Sequence, residues 1–346
     1  MLSVLICIMK KITLIIVTGA MLLSFVACNN SNDNSNIDSR KKEIDSITII
    51  TQKIKEDTLN ADLYHTRSHL YLDKKNFNKA LRDIGKAIQY APDNDNHLVL
   101  LSDIYYASES YENARGLLKR IHKNNPDNIV TSLKLAKLEI AYRHYEEAHR
   151  LLNSVLKIDE KNYVAYDLKG IIYKEQGKKD LAIESFKKSL MYNDKYEDVY
   201  IQLGMLYSEK NDADAIDYFK GALNINSDNV NALYLLGVFY QKNYDMDKAE
   251  ETYKKIIALD SANQYAYYNL GYINLVFHED FEKAIVLFKK AIEVDSNYLE
   301  AYYNLGYSYE LNSDFINARI YYKKVLKMDK DYQKAIEGLS RLDNVM

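Results

Sequence analysis

The chain has no tryptophan, two prolines, two cysteines and 11 glycines in 346 residues. Cysteine occurs only at Cys7 and Cys28, so no disulfide framework holds the protein together. Its stability has to come from apolar burial, for which a hydrophobic share of 47% is sufficient. An excess of charge of one sign is missing too. Lys+Arg 46 against Asp+Glu 49 leaves a net −3 with no basic block, which argues against nucleic acid as a partner. No glycine-rich dinucleotide loop, Walker loop or nucleophile elbow is present, and the glycines are largely used in another pattern. No catalytic residue and no cofactor are expected, and the protein reads as non-enzymatic.

What is there begins with an amino terminus unlike the rest. Met9, Lys10 and Lys11 lead into the apolar run ITLIIVTGAMLLSFVA, then Cys28, then the polar stretch NNSNDNSN. A short basic region, an apolar region too short for a confident membrane span and a small residue at the cut describe a secretory signal. With Cys28 directly after Ala27, the segment resembles a bacterial lipoprotein signal peptide over residues 1–27, although Phe25 stands where that pattern has leucine. The resemblance implies lipidation of Cys28, by palmitate and related acyl chains, and anchoring in a membrane of the cell envelope. An ordinary cleaved signal or an uncleaved anchor are the other readings of this segment, and Met9 rivals Met1 as the start. Asn29 is not the aspartate that retains some lipoproteins at the inner membrane, so the outer membrane is favoured. Residues 28–42 read as a flexible tether, rich in Asn, Ser and charge and without apolar periodicity.

From Ala61 one pattern returns eight times. Its twentieth position is Ala80, Ala114, Ala148, Ala182, Ala215, Ala249, Ala284 and Ala318, and its eighth is Ser68, Ser102, Ala136, Gly170, Gly204, Gly237, Gly271 and Gly306. Large residues recur at the fourth position, and aromatic or aliphatic ones at the eleventh and twenty-fourth. Positions four, seven, eight and eleven share one face of a helix, and a small residue there permits close helix packing. Each unit therefore reads as two antiparallel helices joined by a short turn.

This period of about 34 residues with its aromatic, Leu-Gly, Tyr, Ala, Phe pattern resembles the tetratricopeptide repeat. Pro92 and Pro126 both fall at the thirty-second position, where that family often closes its second helix. The units are 61–94, 95–128, 129–162, 163–196, 197–229, 230–263, 264–298 and 299–332, with one a residue short and one a residue long. A half-repeat helix is expected over 43–60 and a capping helix over 333–346, where Lys334, Glu337 and Arg341 face water. The resemblance implies an all-α fold, a right-handed α-solenoid of about eight helix pairs plus the C-terminal cap. Unit 129–162 is the weakest match, with Ser132 and Glu139 where large apolar residues belong, and a local defect is expected there.

In this family the second, fifth, ninth, twelfth and thirteenth positions of each first helix line the inner surface. The first four units would present a mixture including Asp62, His65, Asp103, Lys137, Ile171 and Lys174. The last three would present Tyr234, Tyr265, Tyr268, Tyr272, Tyr303 and Tyr307, with Asn269 and Asn304 beside them. Tyrosine offers an apolar ring with a hydrogen-bonding tip, and an asparagine amide pairs with an extended peptide backbone. These eight residues are the candidate groove for a protein or peptide partner of the envelope. Three other readings stay open: stacking on glycan or cell-wall rings, tyrosines that merely pack against the neighbouring unit, and a tyrosine content that reflects AT-rich coding. His65 and His69, four apart on one helix, are close enough to share a metal, yet HTRSH lacks the glutamate of a metalloprotease motif. They are read as solvated histidines, with no metal expected.

Overall fold

The computed structural model describes residues 46–343. The signal segment 1–27, Cys28, the tether 28–42, the start of the half-repeat segment and residues 344–346 lie outside the described residues. Residues 46–56 form a helix. Eight helix pairs follow: Ala61–Asp73 with Phe77–Tyr90, Asp95–Ala107 with Tyr111–Asn124, Ile129–Ala141 with Tyr145–Ile158, and Tyr163–Glu175 with Lys179–Tyr192. They continue as Glu197–Glu209 with Asp214–Ile225, Val230–Lys242 with Met246–Leu259, Gln264–Val276 with Phe281–Val294, and Leu299–Leu311 with Phe315–Met328. Gln333–Asp343 closes the series, and no strand occurs among the described residues. The fold is all-α, built of stacked helical hairpins. The chain divides into two compact units, one ending at Ile121 and the other beginning at His122. No helix among the described residues is long and apolar enough to cross a membrane.

Each hairpin turns through one residue in the left-handed region. These are Lys75, Glu109, Arg143, Gly177, Asn211, Tyr244, Glu279 and Ser313, with φ between +54° and +73°. Only Gly177 takes this conformation without steric cost. The turn reverses the chain within three residues. After Ala61–Asp73, for example, the Asn76 N–H donates to the Tyr71 carbonyl at 2.8 Å.

The two units of unusual length absorb the change at this same junction. In 197–229 the second helix starts with a tight turn, Ala215 N–H bonding to the Asp212 carbonyl at 3.1 Å and Ile216 to Ala213 at 3.0 Å. Elsewhere the corresponding bond skips one residue more, as from Ala80 to Asn76 at 3.0 Å. A 3₁₀ start thus swallows the missing residue. In 264–298 the extra residue widens the turn, with Asp280 N–H reaching back to the Asn274 carbonyl at 2.9 Å.

The core sits between the first and second helices of each pair. A Cβ added to Gly204 would stand 2.5 Å from the Phe219 ring, and one added to Gly170 2.6 Å from Phe186. Gly237, Gly271 and Gly306 face Tyr253, Phe288 and Tyr322 in the same way. The small eighth residue therefore makes room for a ring from the partner helix. Where that residue is Ser68, Ser102 or Ala136, its counterpart is the smaller Ile84, Leu118 or Leu152, all buried. The repeat holds the summed volume of the pair roughly constant, as close packing requires.

The defect expected in 129–162 does not appear as a break. Ile129–Ala141 spans 13 residues like its counterparts, and Ser132 and Glu139 are buried within it. Each polar intruder has a histidine: Ser132 Oγ lies 3.1 Å from His122 Nδ1, and Glu139 Oε2 lies 2.7 Å from His144 Nδ1. Hydrogen bonding offsets the desolvation that two buried polar groups would otherwise suffer.

Candidate partner-binding surface

The first helices of the last three full pairs carry the tyrosines. Tyr234 packs its ring 6.1 Å from that of Tyr265, and Tyr265 lies 5.9 Å from Tyr298. Tyr265 remains 49% exposed, a ring held between two others with one face open. Tyr272 is half-buried, 6.5 Å from Phe277 at the widened turn. Tyr303 and Tyr307 lie nearly parallel at 6.2 Å, and the Arg341 guanidinium stands 5.8 Å from the Tyr307 ring centre. Burial raises the pKa of Tyr234, Tyr272 and Tyr303, Tyr303 to about 12, so all three are neutral donors at physiological pH.

Tyr268 and Asn304 are not free to greet a ligand. Asn304 is buried, and its Nδ2 donates to the Tyr268 hydroxyl at 3.0 Å. The Tyr268 ring is wedged 4.9 Å from Tyr298 and 5.7 Å from Phe288. Asn269, one unit earlier, is half-buried, with its Nδ2 shielded from solvent. Of the eight candidates, Tyr265 is exposed and Tyr272 and Tyr307 are half-buried, and none of these three is bound into this lock.

Sequence reasoning missed the residues that hold the surface together. Asn60, Asn94, Asn128, Asn162, Asn229 and Asn263 cap the first helices that follow them, each side chain accepting a backbone N–H. Tyr196 and Tyr298 occupy the same position and make no cap bond. Their rings turn to the fifth residue of the preceding first helix instead: Tyr196 to Asp167, Tyr298 to Tyr268. Tyr332, at the equivalent place, lies 5.4 Å from Tyr303. An asparagine cap contributes about 1 kcal/mol, which these units forgo to pin an inward-facing side chain. The signal was present as Tyr in place of Asn at the end of a unit.

At Tyr196 the pinned group is a carboxyl. The Tyr196 hydroxyl donates to Asp167 Oδ2 at 2.9 Å, and burial pushes the Asp167 pKa up to about 6 against that hydrogen bond. Burial also holds the Lys174 ammonium below its usual value, and its Nζ donates to Gln202 Oε1 at 2.6 Å. The terminal helix is fixed by a fork: Arg341 Nε and Nη2 reach Glu310 Oε1 and Oε2 at 2.6 and 2.8 Å, and Glu310 also accepts from the Tyr322 hydroxyl. Arg341 is exposed, as its sequence position suggests, but it is an anchor of the cap as well as a solvated charge.

In the amino-terminal unit His65 and His69 do not behave alike. His65 Nδ1 lies 3.0 Å from Nδ1 of the buried His97, and His69 Nδ1 lies 3.1 Å from Asp73 Oδ2.

Paired helices of fixed length, a small residue under a ring and a covered terminal hairpin define a helical-repeat scaffold. Comparison with known families agrees: models described as tetratricopeptide repeat match residues 208–270 and 299–337, and one described as TPR repeat matches 279–313. The C-terminal ARM domain of tetratricopeptide repeat protein 21 matches residues 47–197. Tetratricopeptide repeats are thus matched over residues 208–270 and 279–337, and the helix pairs before them repeat the same plan. It is 26% identical over 201 residues to a TPR repeat-containing protein of Methanocaldococcus jannaschii, covering 56% of this chain and 34% of that protein. It is 23% identical over 158 residues to anaphase-promoting complex subunit 3 of Schizosaccharomyces pombe, covering 45% and 24%. The chain therefore spans about a third or a quarter of the length of these curated relatives. Among solved structures, the C-terminal part of a TPR repeat-containing protein from Cytophaga hutchinsonii superposes with a TM-score of 0.60 at 20% identity, covering 70% of this chain and 99% of that one. At that identity the likeness concerns the fold.

Proposed function

We propose that the protein is a non-enzymatic interaction scaffold of the bacterial cell envelope, lipid-anchored through Cys28 with the outer membrane favoured. It binds an extended segment of a protein partner across Tyr265, Tyr272 and Tyr307. The observation that carries this reading is Tyr265, whose ring is braced by Tyr234 and Tyr298 while 49% of its surface stays open. A braced aromatic loses little entropy on binding and offers both stacking and a hydroxyl, the character of an interaction hot spot.

Replacing Tyr265 and Tyr307 together by alanine tests it, because neither takes part in the Tyr268–Asn304 lock. Recovery of a defined polypeptide from envelope extracts should fall about tenfold or more, the loss of some 1.4 kcal/mol or more of binding, with helicity unchanged. Equal recovery by both chains would remove the proposal, and selective loss of cell-wall fragment binding would replace it with glycan capture. The anchor is tested separately, since Cys28→Ala should abolish incorporation of labelled palmitate and release the protein from membranes.

A further inference from the structure

We propose that His65 and His69 form a two-histidine site for one divalent transition-metal ion, zinc, nickel or copper, bound through their Nε2 atoms. Both lie on the helix Ala61–Asp73, four residues apart and so one turn above the other on a single face. Spacing alone is a weak signal, and the second observation is what their other nitrogens do. Each ring is held at Nδ1 by a separate acceptor, His65 by His97 at 3.0 Å and His69 by Asp73 at 3.1 Å. Neither Nε2 has a hydrogen-bond partner among the described residues. Metal-binding histidines characteristically donate their second ring N–H to such a partner, which fixes ring orientation and leaves the ligating lone pair outward.

The tautomers follow from a third group. His97 is buried, and its Nε2 makes no hydrogen bond but stands 4.0 Å from Asp62 Oδ1. A proton on that Nε2 is attracted by the carboxylate, whereas a lone pair there is repelled. His97 then accepts at Nδ1, His65 donates from Nδ1, and the Nε2 of His65 is left as a lone pair. Asp73, an acceptor only, imposes the same tautomer on His69. Among the described residues no group of three or more His, Cys, Asp or Glu is arranged to hold a metal ion, so the protein offers these two ligands alone. Water fills the remaining positions, giving an open site of borderline-soft nitrogen ligands suited to these ions and not to calcium or magnesium.

The test is calorimetric titration of the full chain with Ni²⁺ and Zn²⁺, paired with electron paramagnetic resonance of the Cu²⁺ form. One ion per chain should bind, with hyperfine splitting from two imidazole nitrogens. His69→Ala, at an exposed position, should lose that binding while folding normally. Asp73→Asn should weaken it about 10- to 100-fold, the usual effect of removing an outer partner. Absence of binding by the unaltered chain, or identical titrations for it and His69→Ala, would overturn the site.

Discussion

Asn304 donates its Nδ2 proton to the hydroxyl of Tyr268, 3.0 Å away and one repeat earlier in the chain. Two groups that a helical wheel aims at a ligand are thereby spent on each other. The lock joins successive first helices, and the surface beside it presents only those tyrosines that the lock does not consume. Tyr268→Phe should strand the buried Asn304 amide and cost about 1–3 kcal/mol, read as a lower urea midpoint with unchanged circular dichroism. An unchanged midpoint would mean that the bond contributes nothing to holding the two helices together.

The ring-over-glycine pairs predict a compensated double variant. Gly204→Ala places a Cβ against Phe219 and should destabilise the carboxy-terminal unit by about 1–3 kcal/mol. Combining it with Phe219→Leu imitates the Ala136 and Leu152 pair and should recover part of that loss. A double-mutant cycle with no coupling would show that the two positions do not share one volume.

Seven non-glycine residues sit in the left-handed region at the hairpin turns. Gly177→Ala should therefore cost about 1 kcal/mol, the steric penalty of a Cβ in that conformation. Glu109→Gly should change stability in the opposite direction by a smaller amount, because glycine also loses more freedom on folding. Thermal denaturation of the two variants gives both signs.

Asp167 makes a prediction about pH. Unfolded, it titrates near the ordinary aspartate value of about 3.9, whereas burial holds it near 6 in the folded chain. Between these values the folded state binds more protons, so this group adds stability as pH falls through 6 toward 4 and withdraws it as pH rises. Asp167→Asn, which can still accept from Tyr196, should be more stable than the parent at pH 7.5, by up to roughly 3 kcal/mol. The difference should vanish near pH 4. His65, His97 and His149, whose lowered pKa values act in the opposite sense, are common to both chains and cancel in the comparison.

The hairpins were legible in the sequence because small residues at the eighth and twentieth positions mark helix contacts directly, and their recurrence sets the period. The wheel also nominated Tyr265 and Tyr307. It could not give the reach of a neighbour. Whether Tyr268 meets solvent depends on Tyr298, which stands at an N-cap position, makes no cap bond and packs its ring 4.9 Å from that of Tyr268. Ser132 and Glu139 were legible as intruders, but their repair by His122 and His144 joins residues 10 and 5 apart across turns. Local periodicity carries no information on such side-chain partners, since they depend on where the turn delivers the chain.

The most direct measurement of the proposed role is site-specific photo-crosslinking in cells from positions 265, 272 and 307, with position 191 as control. Met191 is 75% exposed on a second helix. A discrete polypeptide adduct from the three tyrosine positions, and none from position 191, is the predicted result. No polypeptide adduct at those positions, or the same adducts from position 191, would contradict a partner-binding surface on the tyrosines.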